Sequence, residues 1–303
     1  MNRDEFLTER MKGIGGADAA CALGFDPYRT RRELYGIKTG ELVDDFEDNR
    51  FTRAGRVLEA AIADLYAEQF GVTLRKKMVP VVHPKYPFMR GNLDRTITGK
   101  RAVLEIKNVD GAVYRTSGEW GDEGSDVVPI RYMIQVRHYL IITGFDVGYV
   151  GALVGGNDLK RYVIERDAEA EAFIIEAEHA FWQLVEKREP PEFDFEHAST
   201  LGLLKRLHPG SNGLSKPLSL EAFDWHQKIE AANADIKRLE ALKAEGKAHI
   251  LKEMDGYGFG TFALGGEYRY RKIERAAYQV PASEYQDLRF CVKQTKPGAK
   301  GGA

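Results

Sequence analysis

Cysteine is nearly missing from this sequence. Cys21 and Cys291 stand alone near opposite ends of the chain, which excludes a disulfide-stapled framework and a thiolate metal site of close cysteine spacing. No run of about eighteen apolar residues occurs, so a membrane-spanning helix is not expected. The opening MNRDEFLTER is charged and lacks the apolar stretch of a signal peptide. Together these absences lead to the expectation of a cytoplasmic, reducing location. Charge of one sign is missing too: 44 Lys and Arg oppose 46 Asp and Glu, for a net charge of −2. A histone-like polycation is thereby excluded, whereas a basic channel within an acidic exterior is not. The glycine stretch Gly13-Ile14-Gly15-Gly16 has no clear strand before it. It completes neither G-x-G-x-x-G nor G-x4-G-K-[ST], which argues against a nucleotide-binding loop. Close approach of backbone N–H groups to a phosphate is the reading kept for it. No internal repeat is visible, and the seven histidines show no metal-ligand spacing.

What is present is ordinary for a globular protein: 43% hydrophobic and 30% charged residues. The length suffices for a large core plus an appended module. Val57, Leu58, Ala61, Ile62, Leu65 and Tyr66 recur at helical spacing over 51–70, with Gly71 placed as a C-terminal cap. Extended patterns follow at 78–82, 89–98 and 102–108, and the polar stretch 110–128 reads as a long loop. Pro129 opens a helix that Gly144 stops after Thr143. Strands at 147–154 and 159–165 flank a GGN turn. Asp167 caps a helix running to about Arg188, before Pro190 and Pro191. A linker is expected at 196–216, then a long charged helix from Ser219 to Met254 in which Ile229, Ala232, Ile236 and Leu239 approximate a heptad seam. A hairpin at 258–272 turns at Gly265–Gly266. The expected division is therefore a core over 1–195, the linker, a helix-plus-hairpin module over 217–290, and a flexible tail over 291–303.

The segment NLDRTITGKRAVLEIKN carries the sharpest chemical signal. With Gly99–Lys100 as a two-residue type II′ turn, Thr98 faces Arg101, Thr96 faces Val103, and Asp94 faces Glu105. Lys107 then emerges on the same face as Glu105. Facing Cβ atoms lie roughly 5 Å apart, and like charges there are destabilising. Two such carboxylates either raise one pKa or bind a cation. Oxygen ligands alone favour a hard ion such as Mg²⁺, and a nearby Lys can orient a water or stabilise developing phosphorane charge. The competing reading is a solvent-facing hairpin on which Lys107 neutralises two surface acids. The short pattern by itself leaves the two readings level.

The neighbouring sequence separates them. The stretches GIGGADAACALGFDPYRT, GRVLEAAIADLY, HPKYPFMRGNLDR, LEIKN and PIRYMIQVRHYLIITG resemble, in order and over about residues 11–190, the YqaJ-type viral recombinases. These are relatives of phage lambda exonuclease within the PD-(D/E)xK nuclease superfamily. The segment after residue 216 also resembles the C-terminal region of many YqaJ-type chains. The resemblance implies an α/β (α+β) fold with a restriction-endonuclease-like core, a mixed central sheet flanked by helices, and a C-terminal long helix with a β-hairpin.

It also implies roles for particular residues. Asp94, Glu105 and the backbone carbonyl of Ile106 become ligands of Mg²⁺, with Mn²⁺ as a substitute, and Lys107 becomes the catalytic lysine. Glu59 matches a helical glutamate that serves a second metal position or its waters. It shares the Ile62/Tyr66 face of its helix at i, i+3 and i+7. Gln135 and Tyr139 match Q-x3-Y on one helix face. Gln135 is expected near the nucleophilic water or scissile phosphate, and Tyr139 against sugar or phosphate. Arg10, Lys12, Gly16 and Arg29, with Arg31 beside them, are candidates for holding a DNA end. The serine usual in that region is Ala17 here, and Asp18 is expected to be a structural cap. Trp120 is read either as a wedge against duplex ends or as an anchor for its loop. His83 and His138 are expected to be structural.

The activity implied is 5′-to-3′ digestion of linear double-stranded DNA in a bacterial or phage-infected cell. It would leave 3′ single-stranded tails for a single-strand annealing partner. A ring-shaped homo-oligomer such as a trimer, threaded by DNA, would suit the near-zero net charge. The alternatives are a structure- or site-selective endonuclease of the same superfamily, and a DNA-binding scaffold without catalysis.

Overall fold

A computed structural model describes residues 8–44, 49–210 and 212–274, with the isolated positions 282 and 288. The tail at 291–303, Cys291 and nearly all of the module beyond residue 274 lie outside the described residues. The chain divides into two compact units, Met1–Pro209 and Gly210–Ala303.

The first unit is built on a five-stranded mixed sheet. Its strands in chain order are β1 (Leu74–Arg75), β4 (Arg95–Ile97), β5 (Ala102–Val109), β6 (Val147–Val154) and β7 (Asp158–Glu165), and they neighbour one another in that order. All pairings are antiparallel except β5 with β6, which run parallel. Two short strands, β2 (Val81–Val82) and β3 (Arg90–Gly91), form a separate ribbon. The helices are α1 (Gly16–Leu23), α2 (Arg31–Thr39), α3 (Arg50–Phe70), α4 (Gly111–Thr116), α5 (Ile130–Thr143), α6 (Ala168–Lys187) and α7 (Thr200–Leu207).

Alternation along β5 sorts the two sheet faces. Leu104 and Ile106 join Ile62, Ala63 and Tyr66 of α3 in one apolar cluster. Val103 and Val109 join Val136 and Leu140 of α5 and Phe181 of α6 in another. Glu105 and Lys107 therefore share the face of α5. Close packing there needs glycine: a Cβ at Gly148 of β6 would come within 2.1 Å of Val136.

The ends of the helices follow from local chemistry. Asn49 accepts from the N–H groups of Phe51 and Thr52 at the start of α3, and Asp167 from those of Glu169 and Ala170 at the start of α6. Gly71 and Gly144 close α3 and α5 in the left-handed conformation. These are the bounds that the sequence patterns predict, within one or two residues.

Four expectations need correction. The 89–98 stretch is not one strand but β3 and β4 with a break at 92–94. The hairpin loop has four residues, 98–101, closed by the Lys100 N–H on the Ile97 carbonyl at 3.3 Å, because the Thr98 N–H is taken by Thr73 of the neighbouring segment. The 110–128 stretch contains α4, capped by Asp110. The expected linker begins within the first unit. Residues 200–207 form α7, whose Leu203 packs with Ile37 and Leu42 and whose Arg206 reaches Glu33 at 2.7 Å.

In the second unit, Ser219 caps α8 (Leu220–Met254) through the Ala222 N–H. A hairpin of β8 (Phe259–Thr261) and β9 (Glu267–Arg269) follows, with Met254 packed on Gly260. Met254 alone is buried along α8, and Ile229, Ile236 and Leu239 are exposed. Among the described residues no helix is long and apolar enough to cross a membrane.

Candidate active site

The β4–β5 ladder pairs Arg95 with Leu104 and Thr96 with Val103. One further step of that register sets Asp94 against Glu105, so the facing of the two acids survives the change of turn. Asp94 sits just outside the ladder, in the bend that leads into β4. Its Oδ2 accepts the Ile106 N–H at 2.9 Å, which fastens it to β5 beside Glu105.

Glu105 is 3% exposed. Its Oε1 accepts from Lys107 Nζ at 2.5 Å and from Gln135 Nε2 at 2.8 Å, whereas its buried Oε2 has no partner. The Gln135 amide spends both donors, on Glu105 and on the Tyr139 hydroxyl at 3.1 Å, and its Oε1 accepts from Lys107 at 3.2 Å. The Tyr139 hydroxyl in turn donates a hydrogen bond to the Asn92 carbonyl at 3.1 Å. A continuous chain thus runs from the backbone at Asn92 through Tyr139 and Gln135 to Glu105 and Lys107. Tyr132, one turn before Gln135, lays its ring 4.6 Å from Lys107 Nζ.

Charge is held under tension here. Burial, and then the neighbouring Glu105, push the Asp94 carboxyl up to about 8 against the pull of Lys107. Burial disfavours the Lys107 ammonium, but Glu105 and Asp94 outweigh it and hold its pKa above the usual lysine value. The Tyr139 phenol is pushed up by burial and then by Glu105. Two close carboxylates, one oxygen of which is buried and orphaned, suit a hard divalent cation that takes oxygen ligands and keeps its waters. Among the described residues no cluster of three or more His, Cys, Asp and Glu accompanies them. The fit therefore rests on Asp94, Glu105 and a backbone oxygen such as that of Ile106.

These groups open on a cleft of about 1200 Å³, shared by Glu59, Arg10, Arg29, Gly16 and Trp120. Glu59 is bound by Arg95 at 2.7 Å and Lys76 at 3.1 Å. Burial raises its pKa, and those two hydrogen bonds more than offset the rise, so it ends below its ordinary value. Arg10 and Arg29 reach the cleft while paired with Asp18 and Asp44. Lys12 does not line it; its ammonium pairs with Glu9. Arg31 lies away from it, against Phe181 at 5.9 Å.

Other sequence assignments change with the geometry. Asp18 is no cap: Gly15 holds that position, and Asp18 is buried against Lys38 at 2.7 Å. Trp120 packs on Tyr114, Tyr132 and Tyr162 while it also lines the cleft. Tyr139 lines the cleft but is 5% exposed, and its ring lies against Gly16, where a Cβ would meet it at 2.4 Å. It is a wall of the site whose hydroxyl is already committed. His83 accepts the N–H groups of Lys85 and Tyr86 and holds its turn.

Sequence reasoning missed Asn92, Arg95, Tyr132 and Lys38. Tyr132 carried a signal, being three residues before Gln135 on one helix face. The others act through tertiary contacts without local pattern.

Three kinds of likeness accompany this geometry. Residues 5–146 match the family described as YqaJ-like viral recombinase domain. The YqaJ protein of Bacillus subtilis (strain 168) is 34% identical over 264 residues, covering 86% of this chain and 81% of its own length. An alkaline exonuclease (LHK-Exo) of Laribacter hongkongensis aligns at TM-score 0.49 and 16% identity, over 61% of this chain and 94% of that one. A putative exonuclease of Eubacterium rectale aligns at TM-score 0.48 and 11% identity, over 74% of this chain and 97% of that one.

Proposed function

Because this chain belongs to the YqaJ-like viral recombinase family, we propose that it is a divalent-metal-dependent deoxyribonuclease that digests linear double-stranded DNA. The observation that carries the reading is the convergence of Asp94, Glu105 and Lys107 on one cleft, with buried Gln135 hydrogen-bonded to both Glu105 and Lys107 behind them. The finer proposal is Mg²⁺ as the ion, 5′-to-3′ direction, and 3′ tails passed to a single-strand annealing protein. A ring of identical subunits around the duplex completes it.

Asp94, Glu105 and the Ile106 carbonyl would hold the cation, with Glu59 within the same cleft for a second ion or its waters. When bound, the ion supplies a more acidic water and offsets charge on the phosphodiester. Lys107 keeps its proton, since the acids around it raise its pKa. With two of its three N–H groups on Glu105 and Gln135, the ammonium has a third to donate to the attacking water or to the phosphoryl oxygen as charge grows there. Gln135 fixes where that ammonium can stand by accepting from it while donating to Glu105. Tyr132 sets its ring against the same ammonium. Arg10 and Arg29 offer donors to a terminal phosphate, and the backbone N–H groups of the Gly15–Gly16 helix start add to them.

An end-labelled linear duplex incubated with Mg²⁺ tests the reading. Wild type should release mononucleotides from one end, while Asp94→Asn, Glu105→Gln and Lys107→Ala should remain folded and lose at least about a hundredfold in rate. Retained activity in any of the three removes the assignment. A covalently closed plasmid separates the endonuclease reading, since an exonuclease leaves it intact.

A further inference from the structure

His138 and Glu178 are the most deeply buried titratable groups near the site, and the mechanism above uses neither. Both side chains are 0% exposed. His138 Nδ1 lies 2.7 Å from Glu178 Oε1, and His138 Nε2 lies 3.0 Å from the carbonyl oxygen of Arg90. A carbonyl only accepts, so Nε2 must carry a hydrogen. The contact at Nδ1 then shares one proton with Glu178, as imidazolium with carboxylate or as imidazole with carboxylic acid. In both arrangements the pair is neutral overall, as burial demands.

Such a pair is an inefficient source of stability. Apolar side chains of similar volume would serve the α5–α6 interface as well or better, and Phe181 and Ile174 already pack there. The pair also leaves Glu178 Oε2 buried without a partner. What it does achieve is to aim one N–H at one backbone carbonyl.

That carbonyl has particular leverage. The Arg90 N–H is bonded to Ile14 at 3.0 Å, and His138 takes the other side of the same residue. The next residue of α5, Tyr139, takes the carbonyl of Asn92. Two residues further on is Asp94, which the β4–β5 ladder does not include. Adjacent positions of one helix thus clamp alternate carbonyls of the 90–94 segment, while Gln135 of that helix holds Glu105.

We propose that Glu178 and His138 are a positioning pair. They hold the Arg90 carbonyl against α5 and so set the distance between the Asp94 segment and Glu105 that a bound cation requires. The proposal rests on the paired-carboxylate reading of the site. Neither residue touches the ion or the substrate. Glu178 fixes the imidazole, the imidazole fixes the carbonyl, and the carbonyl fixes the strand that delivers Asp94.

Replacing His138 alone would strand the Glu178 carboxyl and could unfold the chain, so the test uses matched pairs. In His138→Gln/Glu178→Gln the longer amide reaches about where Nε2 stands and can still donate to Arg90. In His138→Asn/Glu178→Gln the amide is one bond too short to reach. Both pairs are neutral and polar, and thermal unfolding should rank them together. Mn²⁺ binding is measured by calorimetry on full-length protein without DNA, alongside hydrogen–deuterium exchange at residues 91–94.

The Gln pair should bind Mn²⁺ close to wild type. The Asn pair should bind about tenfold more weakly and exchange faster at 91–94. A His138→Leu/Glu178→Leu pair, which removes both polar groups, should follow the Asn pair while keeping its stability. In turnover the Asn pair should lose kcat with KM for duplex unchanged. Equal Mn²⁺ affinity and exchange in the Asn and Gln pairs overturn the proposal, as does a Leu pair that behaves like wild type. A wild type that binds Mn²⁺ but degrades no DNA would sink the nuclease reading and leave this contrast standing.

Discussion

Asp18 is 3% exposed and meets Lys38 at 2.7 Å and Arg10 at 2.7 Å, with Lys38 itself only 1% exposed. Burial works against the carboxylate, but Lys38, Arg10 and Arg29 together hold its pKa far below the ordinary aspartate value. A carboxyl whose folded pKa is depressed stabilises the fold above its unfolded pKa of about 3.9. That contribution is lost as pH falls through the folded value. Asp18→Asn should therefore cost about 3 kcal/mol or more at pH 7, where it leaves the Lys38 ammonium buried without its carboxylate. The gap to wild type should narrow below about pH 4. Denaturant titrations of both proteins at pH 7 and pH 3 check this, and a gap equally wide at both pH values would refute it. From the sequence Asp18 looks like a helix cap, because its real partner lies twenty residues away. Asp94, Glu105 and Lys107 were legible for the opposite reason: strand register and alternation, both local, bring them together.

At the scale of elements, α5 organises the site. Its start at Pro129 and stop at Gly144 are visible in sequence, since proline and glycine act through their own backbone. Its packing is not visible. The ring of Tyr139 lies in a slot made by Gly16 of α1 and Gly91 of β3, where Cβ atoms would approach within 2.4 and 2.7 Å. Gly16→Ala should cost about 1–3 kcal/mol as an overpacked contact. In a Tyr139→Leu background the same change should cost much less, a non-additivity that thermal unfolding of the four-protein cycle measures. Additive costs would show that Tyr139 is not what Gly16 accommodates. The elements that sequence patterns missed share one property. Helix α4 buries nothing, and α7 buries only Thr200 and Leu203, so neither repeats long enough to leave a periodic signal. At the break over 92–94, Tyr139 of α5 bonds the Asn92 carbonyl and Ile106 of β5 bonds Asp94, tertiary contacts that leave no local pattern.

For the molecule as a whole, a net charge of −2 supplies no long-range pull on a polyanion. The cleft does not compensate. Among the described residues its walls carry nine acidic side chains against six basic ones, and Arg10 and Arg29 already serve Asp18 and Asp44. DNA entering such a cleft meets repulsion unless cation charge is taken up with it. Ca²⁺ accepts carboxylate and carbonyl oxygens in flexible geometry, so it should tighten duplex binding at constant ionic strength. Tenfold or more over EDTA is the expected size, about 1.4 kcal/mol. Fluorescence anisotropy with a duplex of nuclease-resistant phosphorothioate ends measures it. Glu105→Gln should gain less from Ca²⁺ than wild type, because one of the two carboxylates that would hold the ion is gone. Equal affinity in Ca²⁺ and EDTA would mean that the acids of the cleft do not face the DNA, and that the cation site and the DNA path are separate.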